Sequence, residues 1–223
     1  MFKQNVRGVI FDMDGTLIDS EIYVEKVVIR LLHKYDISSN GLDCKPYHGI
    51  QWSSIASDLQ TLYPQLPSID IASWLREDFD RCMKEHEPPM IEGAKDALEV
   101  SRSLFSTALV TSSNKGSVDL FLSRFTTSFF DICISADDYQ HSKPHPEGYL
   151  LAAKSLNISP SECIVFEDSL AGLTAARSAG MKTIAITCRS ADPTKAREIA
   201  DLAVDTFVDL PKDFFTACLK SNV

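Results

Sequence analysis

Asp12 and Asp14 stand two residues apart, where the apolar run over residues 6–11 ends. In an extended segment, residues i and i+2 point the same way, so the two carboxylates stay close. Neighbouring carboxylates repel. One must share a proton, meet a cation or have its pKa raised, and each state is usable in catalysis. Gly15 permits a sharp turn, and Thr16 can cap the next segment. An ordinary Asp-x-Asp-Gly turn is the alternative. A second acidic pair, Glu167-Asp168, ends the apolar run over 164–166. If the two runs are neighbouring strands, Asp12, Asp14 and Asp168 meet at one sheet edge. Three oxygen-rich acids suit a hard cation such as Mg²⁺, which keeps several waters and often bridges to a phosphate. Alone, Glu167-Asp168 also reads as an acidic pair capping the next helix.

Two further segments complete the set. Thr111-Ser112-Ser113-Asn114 follows the strand-like run over 108–110. A hydroxyl beside backbone amides at a helix start is a phosphate cradle. A plain N-cap for a helix over 118–125 fits the same residues. Lys143 lies in Ser142-Lys143-Pro144-His145-Pro146, and the two prolines stiffen the arm that carries it. A lone lysine is otherwise ordinary solvated surface.

Positioning these residues calls for strands alternating with helices. Strand-like runs recur over 107–110, 132–134, 163–166, 183–186 and 202–204. Pro146 opens a helix through Tyr149, Leu150, Ala153 and Leu156. Residues 170–179 are Ala-rich and stop at Gly180, and Asp192-Pro193 is an N-cap with a first-turn proline. The expected fold is α/β, with a parallel Rossmann-like sheet and helices on both faces. Such sheets bind ligands beyond the carboxyl ends of their strands.

One stretch breaks the alternation. Val24, Val27, Val28, Leu31, Leu32 and Tyr35 form a helical stripe. A second runs through Ile55, Leu59, Leu62 and Tyr63, and a third through Ile71, Trp74, Leu75, Phe79, Cys82 and Met83. Three amphipathic helices in a row make a small helical domain over 20–87. It is inserted into a core formed by 1–19 and 88–223.

With 223 residues the chain has room for this arrangement. Net charge is −9, from 22 Lys+Arg against 31 Asp+Glu, and no basic run is present. A nucleic-acid or anionic-membrane partner is therefore not expected. An anionic ligand would need a local cation or oriented amides. The six cysteines are scattered with no CxxC pair, and reduced thiols are expected. No signal peptide and no long apolar span is read, which points to a cytoplasmic location. No heptad seam or exposed apolar helix stands out, so a monomer is expected.

The four segments read in order D-M-D-G-T-L-I-D-S, V-T-S-S, K-P-H-P-E and V-F-E-D-S-L-A-G. This set resembles the haloacid dehalogenase-like superfamily. It is most similar to the subgroup with a helical cap after the first motif, which includes β-phosphoglucomutase and many sugar-phosphate phosphatases. The resemblance covers nearly the whole chain and implies specific roles. Asp12 would be the nucleophile that forms an aspartyl-phosphate, and Asp14 the general acid and then base. Thr111 and Ser112 would hold the phosphoryl group, and Lys143 would neutralise it. Mg²⁺ would be held by Asp12, the Asp14 carbonyl and Asp168, with Glu167 adjacent or just behind. An acid at Asp14 disfavours dehalogenase and phosphonate chemistry.

The match departs from the mutase in two places. The mutase histidine after the first motif corresponds to Val24, and Trp52 stands where an arginine would bind a second phosphate. Hydrolysis of a small phosphorylated metabolite, such as a sugar phosphate, is therefore favoured over phosphomutase activity. A non-catalytic binding protein on the same fold is the remaining reading. In the segment His48-Gly49-Ile50-Gln51-Trp52, the residues His48, Gln51 and Trp52 are the candidates for substrate recognition. Their alternative is structural, with Trp52 in the helical core and His48 on its surface. Hinges near 18–20 and 87–90 would let the cap open and close.

Overall fold

Six short apolar strands form one parallel sheet in the computed structural model, which describes residues 5–48, 50–67, 69–124 and 128–219. The strands are β1 (Gly8–Phe11), β2 (Ser106–Val110), β3 (Ile132–Ile134), β4 (Cys163–Glu167), β5 (Lys182–Ile186) and β6 (Leu202–Val204). Their spatial order is β3-β2-β1-β4-β5-β6. β1 therefore lies between β2 and β4, with Phe11 level with both Leu109 and Phe166. Every residue of β1 and β4 is buried, which suits near-continuous apolar strands covered on both faces. The strand expected from residue 6 begins at Gly8. The Val6 and Arg7 amides donate to the carbonyls of Cys218 and Glu162 instead of to a neighbouring strand.

Contacts divide the chain into two compact units, residues 20–89 and residues 1–19 with 90–223. The first unit is helical. It holds α1 (Glu21–Lys34), α2 (Trp52–Leu62) and α3 (Ile71–Glu85). The buried residues of α1 include five of the sequence stripe, Val24, Val27, Val28, Leu31 and Leu32, whereas Tyr35 is the half-buried C-cap. α2 stops just short of Pro64, which cannot continue a helix. Asp70 caps α3 by accepting from the Ser73 amide at 3.0 Å. Asp78 on α3 is buried and paired with Arg30 of α1 at 2.6 Å and with Arg81. Two partners compensate a carboxylate that would otherwise be costly to bury.

The second unit adds α4 (Ala94–Leu104), α5 (Lys115–Ser123), α6 (Glu147–Leu156), α7 (Leu170–Ser178), α8 (Pro193–Ile199) and α9 (Phe214–Cys218). Tyr149, Ala152 and Ala153 of α6, with Ala175 and Ala176 of α7, pack against Ile10, Ala108, Val110 and Val165. Alternate strand residues face the other way. There Phe11 stacks on Phe166 at 5.0 Å, and Phe166 meets Phe207 and Phe214. The fold is the expected Rossmann-like α/β core with helices on both faces. The helix expected over 118–125 runs Lys115–Ser123, and its expected last residue, Phe125, lies outside the described residues. The six cysteines are free thiols. Among the described residues, no helix is long and apolar enough to cross a membrane.

Candidate active site

The carboxyl ends of β1, β2 and β4 carry the first, second and last chemical motifs side by side. The Asp12 amide donates to the Phe166 carbonyl at 3.0 Å and extends the β1–β4 ladder by one rung. The nucleophile candidate is thereby fixed to the sheet. Asp12 is buried, and burial pushes its carboxyl well above the usual range against the pull of Lys143. Glu167 and Asp14 push in the same direction as burial.

Lys143 enters this cluster from the loop before α6. Its Nζ donates to Asp12 Oδ1 at 2.5 Å, Glu167 Oε1 at 2.6 Å and the Val110 carbonyl at 3.2 Å. Burial works against its charge, but Asp12 and Glu167 outweigh it and hold the ammonium well above its ordinary pKa. One protonated lysine thus faces several acids in a buried setting.

Glu167 is fully engaged. Oε1 also accepts from the Tyr149 hydroxyl at 2.9 Å, and Oε2 accepts from the Ser169 amide and hydroxyl, each at 2.9 Å. Ser169 is the N-cap of α7, and its oxygen accepts from the Gly172 amide at 3.0 Å. A Cβ on Gly172 would lie 1.7 Å from Glu167 Oε1, so only glycine lets this turn approach the carboxylate.

Asp14 occupies a different environment. It is half-buried, and its Oδ2 accepts from Ser113 Oγ at 2.7 Å and Thr111 Oγ1 at 3.4 Å. The Thr111 hydroxyl itself accepts from the Ser113 amide at 3.0 Å. Asp14 Oδ1 is buried without a partner. Thr111 is buried and Ser112 is exposed. Asn114 caps α5 through the Ser117 amide, so the Thr111–Asn114 run serves both the site and the helix.

Asp168 completes the set. It is buried, and Thr16 Oγ1 donates to its Oδ1 at 3.3 Å. Gly15 has φ +77°, and a Cβ there would sit 2.2 Å from Asp168 Oδ2. Glycine is required both for the turn and for the close approach. One ligand atom from each of Asp12, Glu167 and Asp168 lies within 4.8 Å of the others. The donors are all carboxylate oxygens, beside the unpartnered Asp14 Oδ1. That set fits a hard divalent cation such as Mg²⁺ and does not suit a soft metal.

The structure therefore brings Asp12, Asp14, Thr111, Lys143, Glu167 and Asp168 together at one sheet edge. The three substrate-recognition candidates lie in the helical unit. His48 is buried, with Nε2 3.6 Å from Glu25 Oε1. Trp52 is half-buried and packs on Phe79 with ring centroids 5.3 Å apart. Gln51 is exposed and precedes α2, while Gly49 lies outside the described residues. Sequence reasoning gave no individual role in the site to Ser113, Tyr149, Ser169 or Gly172. Tyr149 carried a usable signal, because a tyrosine on an apolar stripe must find a partner for its hydroxyl.

Comparison with known proteins agrees with this geometry. Residues 9–186 match the model of the haloacid dehalogenase-like hydrolase family. A phosphorylated carbohydrates phosphatase of Thermotoga maritima is 30% identical over 190 residues, covering 80% of this chain and 84% of the relative. A fructose-1-phosphate phosphatase of Escherichia coli is 29% identical over 184 residues, covering 79% and 94%. A conserved haloacid dehalogenase-like protein of unknown function from Agrobacterium tumefaciens superposes with a TM-score of 0.79 at 25% identity. That match covers 96% of this chain and 100% of the other. The chain belongs to the haloacid dehalogenase-like hydrolase family. Its enzymatic class is that of the family's phosphatases.

Proposed function

We propose that the protein is a Mg²⁺-dependent phosphatase that hydrolyses a small phosphorylated metabolite of the sugar-phosphate class through an aspartyl-phosphate. The observation that carries this reading is the division of labour between two carboxylates. Asp12 is buried on the Lys143 ammonium, while Asp14 is half-buried on the hydroxyls of Ser113 and Thr111. Environments this different suit a nucleophile and an acid/base.

In this reading Asp12 Oδ2 attacks phosphorus, because Lys143 occupies Oδ1. The bond from phosphorus to the substrate's ester oxygen breaks as Asp14 gives that oxygen a proton. A water then attacks phosphorus, and Asp14 takes its proton. The acyl-phosphate bond breaks, which frees inorganic phosphate and restores Asp12. Thr111 and the Ser112 amide hold the phosphoryl oxygens, and Lys143 offsets their charge. Asp12, Asp168 and the Asp14 carbonyl would hold Mg²⁺, with Glu167 behind them. The bound ion would supply charge neutralisation for the transferring group.

The names of the Thermotoga and Escherichia relatives support the sugar-phosphate class. Val24, at the position of the mutase histidine, is buried and apolar, which favours transfer to water over transfer to a second sugar hydroxyl. Gln51 and Trp52 are the proposed substrate contacts. His48, paired with Glu25, would steady the segment that carries them. The deciding experiment measures phosphate release across phosphorylated sugars, nucleotides and three-carbon acids, with and without Mg²⁺, beside Asp12→Asn. Mg²⁺-dependent release that Asp12→Asn abolishes is the expected result. Isomerisation of a hexose phosphate without release, or no turnover at all, would overturn it.

A further inference from the structure

His141, His145 and Glu147 gather on the same loop that carries Lys143, but on its exposed side. The side chains of His141 and His145 are 62% and 52% exposed, whereas that of Lys143 is 8% exposed. The loop thus sends its lysine inward and two imidazoles outward. We propose that His141, His145 and Glu147 form a second metal site, for a divalent transition cation of the zinc class.

The geometry is close to what such an ion needs. One ligand atom from each residue lies within 4.8 Å of the others. His141 Nδ1 is 2.6 Å and His145 Nδ1 3.8 Å from Glu147 Oε2, and the rings are 4.6 Å apart. Tetrahedral bonds of about 2.1 Å place ligand atoms roughly 3.4 Å from one another. The two distances to Glu147 bracket that value, and side-chain rotation would bring the set onto an ion. To bind an ion through Nδ1, the His141 ring would carry its hydrogen on Nε2.

The backbone holds the three donors in place beforehand. Glu147 accepts from the amides of Gln140 and His141, each at 3.0 Å, which fixes its carboxylate against the loop. The His145 amide donates to the Ser142 carbonyl at 3.0 Å, and prolines flank His145 on both sides. Restricted loops lose less freedom on binding. Among the described residues, only two groups of three or more such side chains come together. The other group is all carboxylate and buried. Imidazole nitrogens select zinc-class ions over Mg²⁺ and Ca²⁺, so the two sites take different metals. An ion bound here would tie residues 141, 145 and 147 together around Lys143 and stiffen the arm behind the ammonium.

The test is direct binding, and it does not depend on the substrate or on turnover. Zn²⁺ is titrated calorimetrically into the full chain with Mg²⁺ in excess. A Cys188→Ser background removes the exposed thiol as a competing ligand. One equivalent of Zn²⁺ is expected to bind. Asp168→Asn should retain it, and His141→Ala/His145→Ala should lose it. His145→Ala alone should weaken affinity by more than about a hundredfold, beyond what loss of an outer partner costs. Absence of Zn²⁺ binding, or binding unchanged in the single and double histidine variants, would overturn the proposal.

Discussion

Lys143 Nζ and Glu167 Oε1 lie 2.6 Å apart, and the same ammonium reaches Asp12 Oδ1 at 2.5 Å. Glu167 thus acts on Asp12, the proposed nucleophile, through a shared lysine. Lys143→Met keeps the volume and removes the cation that both buried acids face. Unfolding free energy should fall by about 3 kcal/mol at neutral pH, as for other buried pairs that lose one partner. Urea denaturation checks this, and an unchanged midpoint contradicts it.

Ser113 Oγ holds Asp14 Oδ2 at 2.7 Å, so the hydroxyl sets the direction of the proposed acid/base. Ser113→Ala is expected to lower kcat about tenfold, a fraction of what a whole acid/base group supplies. KM should barely change. A rise in KM with constant kcat would instead make Ser113 a substrate ligand.

Asp168 accepts from the Thr16 hydroxyl and turns its carboxylate toward Asp12 and Glu167. Chelation with EDTA should stop phosphate release, and Mg²⁺ should restore it. Asp168→Asn should raise the Mg²⁺ needed for half-maximal rate by more than about tenfold. The measurement is a Mg²⁺ titration of the initial rate for both proteins.

Gly172 lies in the first turn of α7, where two effects oppose each other. Helix propensity favours alanine by about 1 kcal/mol. The added Cβ, however, would sit 1.7 Å from a carboxylate oxygen that Lys143 and Tyr149 already hold. Overpacking of this kind costs roughly 1–3 kcal/mol. Gly172→Ala should therefore lower the melting temperature and impair turnover. A rise in melting temperature would show that Glu167 can move away freely.

Asp201 precedes β6 and ties it to β5, accepting from the Thr183 amide at 2.9 Å and Lys182 Nζ at 2.9 Å. Partial burial raises its carboxyl, but Lys182 and Thr183 outweigh this, and the net pKa is lowered. A lowered carboxylate stabilises the fold above its unfolded pKa and loses that effect as pH falls through the folded value. Asp201→Asn should cost about 1 kcal/mol at pH 7. The difference from the parent should shrink as pH falls below about 4, the range of the unfolded carboxyl, and be lost once pH passes the lowered folded value. Denaturation at stepped pH reads this out, and a difference that grew on acidification would reverse the assignment.

The strands were readable because each is a short apolar run closed by a polar or glycine-bearing loop. The three helices of the inserted unit were readable from their 3.6-residue stripes. α4 went unread, although its buried residues Ala94, Ala97, Leu98 and Ser101 recur at helical spacing; two of its four buried side chains are alanine and one is serine, which a search for large apolar residues passes over. Adjacency was also hidden. Nothing in the local sequence says that β1 lies beside both β2 and β4, and that neighbourhood is what brings Asp12, Thr111 and Glu167 together. The tie from Tyr149 to Glu167 escaped for a related reason. Periodicity marks which residues are buried, but the partner of a buried hydroxyl is a tertiary fact.

The central place of β1 in the sheet also governs when the site can exist. Its rungs pair residues 8–11 with 106–109 on one side and with 163–166 on the other. During synthesis the first motif leaves the ribosome before both of its sheet neighbours and must wait for β2 and β4. No shorter product that ends before β4 can assemble the acids around Lys143. Pairings this distant in sequence form slowly, because chain entropy is lost before contacts repay it. Competence should therefore arrive in one late step, with closure of the β1–β4 seam.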